Sequence, residues 1–319
     1  MSSVVLEVVF LTTIELFILK ETRLNPAFLL LPDFLLILLG FLLVRYTALD
    51  KNIWTAAEKL VYYLLFPSLL FNSINQTRFD WGGTSNMLVV AAIAFFSAMA
   101  LGYASKWIFR TSDLSWSSGF QTSFRFNSYI AFAAAGRLAG EEGVALMALT
   151  SGCLVPIANA VAVWSLAKHS ETHLLKEIIK NPLIIATLLG LSTNILGLTM
   201  PDYIAMGLQR LGAASIALGL LSVGAGLMWI QSKKDGALIA YWTSVKLLAT
   251  PAIALIVGKY FELPPAQLAS VVLFGAMPTA TSAYVLVNRM KGDGGIVAVC
   301  ISVMTLAASI TLPFWLSLL

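Results

Sequence analysis

The chain has 319 residues, 59% of them hydrophobic and only 11% charged, with a mean hydropathy of +0.86. Soluble globular domains carry about 25% charged residues, so the composition excludes a soluble enzyme or binding module and indicates a polytopic membrane protein. The net charge of +4 is dispersed over the polar breaks, as orientation signals are, which argues against nucleic acid as a partner.

A spanning helix needs about 20 mainly apolar residues, which leaves room for about ten of them. Residues 1–24 read as an N-terminal extension or interfacial helix. Glu7 and Glu15 interrupt their apolar run, and no basic stretch or small-residue cleavage site makes a signal peptide. Ten hydrophobic segments follow, at residues 28–46, 54–75, 86–108, 116–138, 143–167, 182–200, 203–230, 238–257, 267–289 and 295–318. Asp33 sits close to the start of the first, where a displaced helix end would keep it wet. Pro67 lies mid-way in the second, within PSLLFN, and predicts a kink ahead of Asn72.

The fourth segment carries Arg125 and Asn127 inside GFQTSFRFNSYIAF. A cation at that depth costs about 3 kcal/mol on the insertion scale, and such a cost marks a function. Arg125 and Asn127 would point apart on an unbroken helix, so a break around Phe126 is expected to turn both toward one cavity. The fifth segment sets Ser151 and Asn159 on one face, about two turns apart, with a break at Pro156 between them. The polar linker 168–181 follows. His169 and His173 share a helical face there, but no third ligand is in view and a solvated linker is the stronger reading, so no metal is expected. Cys153 and Cys300 fall inside apolar runs and read as buried thiols, not a disulfide.

Asn181 and Pro182 open the sixth segment as cap and first helical residue. The seventh bears a small-residue stripe, Ser215, Gly219, Ser222 and Gly226, suited to close helix packing. Lys246 lies in the eighth, with a stem long enough to snorkel or to reach a polar neighbour. The ninth is interrupted at Pro278, within GAMPTATSAYVLVN, beside Thr279, Thr281 and Ser282. The tenth aligns Ser302, Thr305 and Ser309 on one face.

Counting Lys and Arg in alternate loops gives twelve on one side and six on the other. By the positive-inside rule both termini then lie outside the cell. Ten segments divide into two five-helix halves, 25–167 and 182–319, and an odd number per half forces opposite orientations. The interrupted segments take the fourth place in each half. Breaks at matching positions of inverted repeats point to a midplane site in secondary transporters. The expected fold is all-α, with ten transmembrane helices in two inverted five-helix repeats and crossed broken helices 4 and 9.

At each break the first NH groups of the second half-helix lack partners and carry partial positive charge. With Arg125 added, the centre should attract an anion, the guanidinium fork suiting a carboxylate. Arg125 could equally cap freed carbonyls of the crossing, and the two roles are compatible. All 16 Asp and Glu lie in loops, in the N-terminal segment or near span ends. A carrier of cations would need a central carboxylate, so the cargo expected is a small organic anion. Substrate contacts are expected from Arg125, Asn127, Ser128, Thr279, Thr281 and Ser282, with Asn72, Ser151 and Asn159 around them. No cofactor is expected, and sodium or proton coupling stays open. No span contains HExxH, paired aspartates or a Ser-His pair, which disfavours a membrane hydrolase. A channel or sensor remains an alternative of another class.

The run PSLLFNSI at 67–74, Arg125-Phe126-Asn127 followed by Tyr129-Ile130, the turn Gly140-Glu141-Glu142-Gly143, Pro156 with Asn159, and AMPTATSAYVLVNRM at 276–290 together resemble the auxin efflux carrier family. The resemblance spans the chain from about Phe28 onward. It implies a scaffold of helices 1, 2, 6 and 7, which often forms a dimer contact, and a transport core of helices 3–5 and 8–10. It also implies alternating access in a plasma membrane, the inner membrane of a bacterium. Plant members carry auxin, and bacterial ones are associated with malate, malonate and related carboxylates. The chain lacks the large cytoplasmic loop of the plant carriers and has Phe126 where they have proline, which favours the bacterial type. Sodium-coupled bile acid carriers share the general fold and supply a further alternative.

Overall fold

The computed structural model describes residues 26–77, 81–166, 181–227 and 235–319. The extension at 1–24 and the linker histidines lie outside the described residues. Every regular element among the described residues is helical. The first is α1, Pro26–Tyr46. Next, α2 covers residues 51–76 with a π-turn at Val61–Leu65, and α3 covers Trp81–Ile108. A short α4, Asp113–Gly119, passes into a 3-10 turn at Phe120–Ser123. The run Ser128–Leu166 leaves helical geometry at Ala139 and at Gly140, where φ is 56°. It therefore separates into α5, residues 128–138, and α6, residues 141–166. The second half contains α7, Pro182–Ile195; α8, Asp202–Ala225; α9, Gly236–Tyr260, with a π-turn at Val245–Ala249; α10, Pro265–Ala276; α11, Ser282–Arg289; and α12, Gly294–Leu316.

Among the described residues, five stretches are long and apolar enough to cross a membrane: Gly82–Ile108, Asp113–Leu166, Asp202–Ala225, Gly236–Tyr260 and Gly294–Leu316. Large apolar side chains stand exposed along α1, at Leu31, Leu35, Leu38 and Leu42, and along α12, at Leu306 and Ile310. Hydrocarbon, not water, suits such faces. Helix starts are capped as their sequences dictate. Asp50 accepts from the Asn52 and Ile53 amides, Asn181 from Leu183, and Asp293 from Ile296.

Helix α8 packs on α1 and α2, and α2 on α7; α9 packs on α3 and α10, and α10 on the run 128–166. The C-terminal turns of α2 and α7 are clasped by two asparagines. Asn75 Nδ2 donates to Thr193 Oγ1 and to the Leu198 carbonyl, each at 2.8 Å, while Asn194 Nδ2 donates to the carbonyls of Ile74 at 2.8 Å and Thr77 at 2.7 Å. These bonds occupy carbonyls that a helix end would otherwise leave without partners.

Four local expectations are corrected. Pro67 follows a π-turn, in which the Phe66 amide bonds the Val61 carbonyl, so the helical run of α2 is not interrupted there. Pro156 lies inside α6, whose backbone stays helical across it; the interruption in that run falls at Ala139 and Gly140. Asp33 is buried, not wet: its carboxylate takes two hydrogen bonds from Arg137 on α5, at 2.8 and 3.0 Å. Cys153 is also exposed on α6, whereas Cys300 is buried.

Candidate functional site

The two interruptions meet. Between the 3-10 turn and α5, residues 124–127 are non-helical; between α10 and α11, residues 277–281 are. The Asn127 amide donates to the Pro278 carbonyl at 2.7 Å. Both residues lie where their own helices offer no partner, so each break completes the other. Phe126 packs edge-on against Phe274, with centroids 4.7 Å apart, which fixes the non-helical segment against the end of α10.

Arg125 is 8% exposed. Its guanidinium donates from Nη1 to Gln121 Oε1 at 3.1 Å and from Nη2 to Ser282 Oγ at 2.9 Å, reaching across to the start of α11. It forms no ion pair with a described residue. Asn127 caps α5, its Oδ1 accepting from the Tyr129 and Ile130 amides at 3.1 and 3.3 Å. Its Nδ2 is buried with no partner among the described residues, a donor whose desolvation none of them offsets.

These groups line a cavity of about 520 Å³, within the range of small-molecule sites. Of the expected contacts, Arg125, Asn127, Ser128, Thr281, Ser282 and Asn159 all line it. Asn72, Ser151 and Thr279 do not. Asn72 lies six residues beyond cavity-lining Phe66 on α2, about 9 Å along the axis, and is buried with an unpartnered Oδ1. Ser151 shares a face with Asn159 but sits about 12 Å from it, on a void of about 10 Å³ that adjoins the cavity and shares Phe66, Ser128 and Val155 with it. Thr279 is buried in the break and is not part of the cavity lining.

Sequence reasoning missed the wall contributed by α2. Thr55, Glu58, Lys59, Tyr62 and Phe66 line the cavity, and their spacing of three to four residues is one helical face. That stripe was the available signal. Arg289, at the end of α11, joins Glu58 and Lys59 in lining it. Lys246 takes no part in the cavity. It is buried, and its Nζ donates to the carbonyls of Phe274 at 3.2 Å and Gly275 at 3.1 Å, in the last turn of α10.

Apolar outer faces, membrane-length helices and a polar cavity where two interrupted helices meet define a polytopic membrane protein. The profile of the membrane transport protein family matches residues 164–316. An "Uncharacterized transporter" of Methanothermobacter thermautotrophicus is 24% identical over 287 residues, 88% of this chain and 94% of that protein. A "Putative malonate transporter" of Rhizobium meliloti is 24% identical over 282 residues, covering 81% and 84%. The "Uncharacterized transporter YfdV" of Escherichia coli is 24% identical over 302 residues, covering 90% and 95%. The second half of the chain thus matches the membrane transport protein family, in keeping with the resemblance of its sequence to the auxin efflux carriers.

Proposed function

We propose that the protein is a secondary carrier of a small organic anion, a mono- or dicarboxylate of the size of malate or malonate, working by alternating access around the two interrupted helices. The observation that carries this reading is Arg125: a buried guanidinium lining the cavity, with no carboxylate partner among the described residues. An anion would supply the missing counter-charge, with bidentate geometry that an ammonium could not match. Asn127, in the same lining, holds a buried Nδ2 without a partner among the described residues, and the start of α11 adds amides of the positive helix end. The name of the Rhizobium meliloti relative agrees with a carboxylate cargo.

In this reading the chain crosses a plasma membrane ten times in two inverted halves, α4 with α5 and α10 with α11 acting as the two broken spans. Helices α1, α2, α7 and α8 form the scaffold and a surface for a homodimer, and the remaining helices form the moving core. The cavity reaches Lys59 and Arg289, on the Lys- and Arg-rich side that the positive-inside rule assigns to the cytoplasm. The Asp33–Arg137 pair closes α1 against α5 toward the other side. The conformation is thus inward-open.

Thermal unfolding of the purified protein against carboxylates and organic cations tests the site. Malate or malonate should raise the midpoint in proportion to the logarithm of concentration, and Arg125→Gln should remove the response while remaining folded. Equal stabilisation of both proteins, or stabilisation by cations alone, would contradict the assignment.

A further inference from the structure

Lys246 is the second buried cation of the fold, and the carrier reading leaves it without a task. Its position is built by local features of α9. Pro251 has no amide hydrogen, so the Leu247 carbonyl loses its helical donor. The Trp315 indole replaces it at 2.8 Å, while the Thr250 amide bonds the Val245 carbonyl one residue further back, as a π-turn. The wider turn carries Lys246 at its inner face. Gly275 lets the two backbones close up: a Cβ there would stand 3.0 Å from Pro251 Cα and N. The ammonium thereby reaches two carbonyls at the C-terminal end of α10, where the helix dipole is negative.

Among the described residues no carboxylate shares this place. The elements packed on the π-turn are the rest of α9, together with α3, α10, α12 and the turn Phe120–Ser123, and none of them contains Asp or Glu. The charge of Lys246 is met by carbonyl oxygens, by the Leu273–Ala276 end of α10 as a dipole, and by the Phe274 ring, whose centroid lies 5.5 Å from Nζ. Carbonyls at the C-terminal end of a half-helix are what secondary transporters use to hold a coupling sodium ion.

We propose that Lys246 is a tethered cation occupying the place at the end of α10 that a monovalent ion would otherwise take, so that the break is held without sodium. Resting on the carrier reading, this also means that anion transport is not driven by a sodium gradient through this site. Lys246 is a positioning residue: it touches no substrate and acts by holding the α10 carbonyls beside Pro278 and Asn127.

The test compares wild type, Lys246→Ala and Lys246→Met by thermal unfolding of purified protein in sodium, potassium and choline chloride at equal ionic strength. Wild type should melt alike in all three salts. Lys246→Ala, which vacates both the charge and its volume, should melt lower in choline and rise by about 5 °C with sodium, saturably, as a bound ion requires. Lys246→Met fills the volume without charge and should stay low and indifferent to the cation. A purely packing role predicts the reverse order, with Met near wild type and no cation response in Ala. Selective sodium stabilisation of wild type overturns the proposal, as does a folded Lys246→Ala that ignores sodium, or one that cannot be recovered in sodium any better than in choline. No organic anion enters this readout. A failure of carboxylates to stabilise wild type would therefore retire the carrier reading separately from the tethered-cation assignment.

Discussion

Replacing Asp33 with Asn should weaken the junction of α1 with α5. The carboxylate accepts from Arg137 Nε at 2.8 Å and from Nη2 at 3.0 Å, a bidentate pair in which the Asp33 side chain is 5% exposed and that of Arg137 is 37%. Removing one member of a fully buried pair costs about 3–5 kcal/mol, and of an exposed one about 0.2–1 kcal/mol. Arg137 is exposed enough to rehydrate when stranded, so the figure falls between, at about 2 kcal/mol. If the pair exists only when the cavity is open as here, that loss changes the ratio of open to alternate conformers about 30-fold. The assay is a double-mutant cycle of Asp33→Asn and Arg137→Gln, with unfolding midpoints measured in detergent. A coupling of about 1–2 kcal/mol is expected, since neighbours in one ion pair are not additive. Additive effects, or an Asp33→Asn protein as stable as wild type, would refute the idea that this pair fastens the two helices.

Asn127→Ala removes the cap of α5 and should cost about 1 kcal/mol of stability, while weakening carboxylate stabilisation measured in the same melts. Trp315→Phe strands the Leu247 carbonyl and should cost about 1–3 kcal/mol. Adding Pro251→Ala to it returns a backbone donor and should recover part of that loss in unfolding measurements. Gly275→Ala places a methyl against Pro251 and should cost about 1–3 kcal/mol from overpacking, read as a lowered unfolding midpoint.

Much of the site was legible because burying polar groups in an apolar chain is costly, and few residues do it. Arg125, Asn127 and Pro278 stood out against their surroundings, and the structure joins them through one backbone bond and one guanidinium contact to Ser282. The stretches expected to span overlap helices, five of which, among the described residues, are long and apolar enough to cross a membrane. What could not be read was how partners answer one another across the fold. Asp33 looked like a residue at a wet helix end because Arg137 lies 104 positions away. Pro67 and Pro156 looked alike in sequence, yet one follows a π-turn and the other sits inside an unbroken helix. Periodicity placed Ser151 and Asn159 on one face without saying which depth the cavity reaches. The role of Lys246 depends on a π-turn created by Pro251 and completed by Trp315, three features spread over 70 residues, and no local pattern announces it.

The most direct measurement is uptake of radiolabelled malonate or malate by protein reconstituted in liposomes, with the membrane potential set by a potassium gradient. The account predicts saturable uptake that follows the potential, competes with unlabelled small carboxylates and is lost in Arg125→Gln. Uptake that neither saturates nor responds to Arg125, or none for any small carboxylate by protein that is folded and inserted, would contradict it.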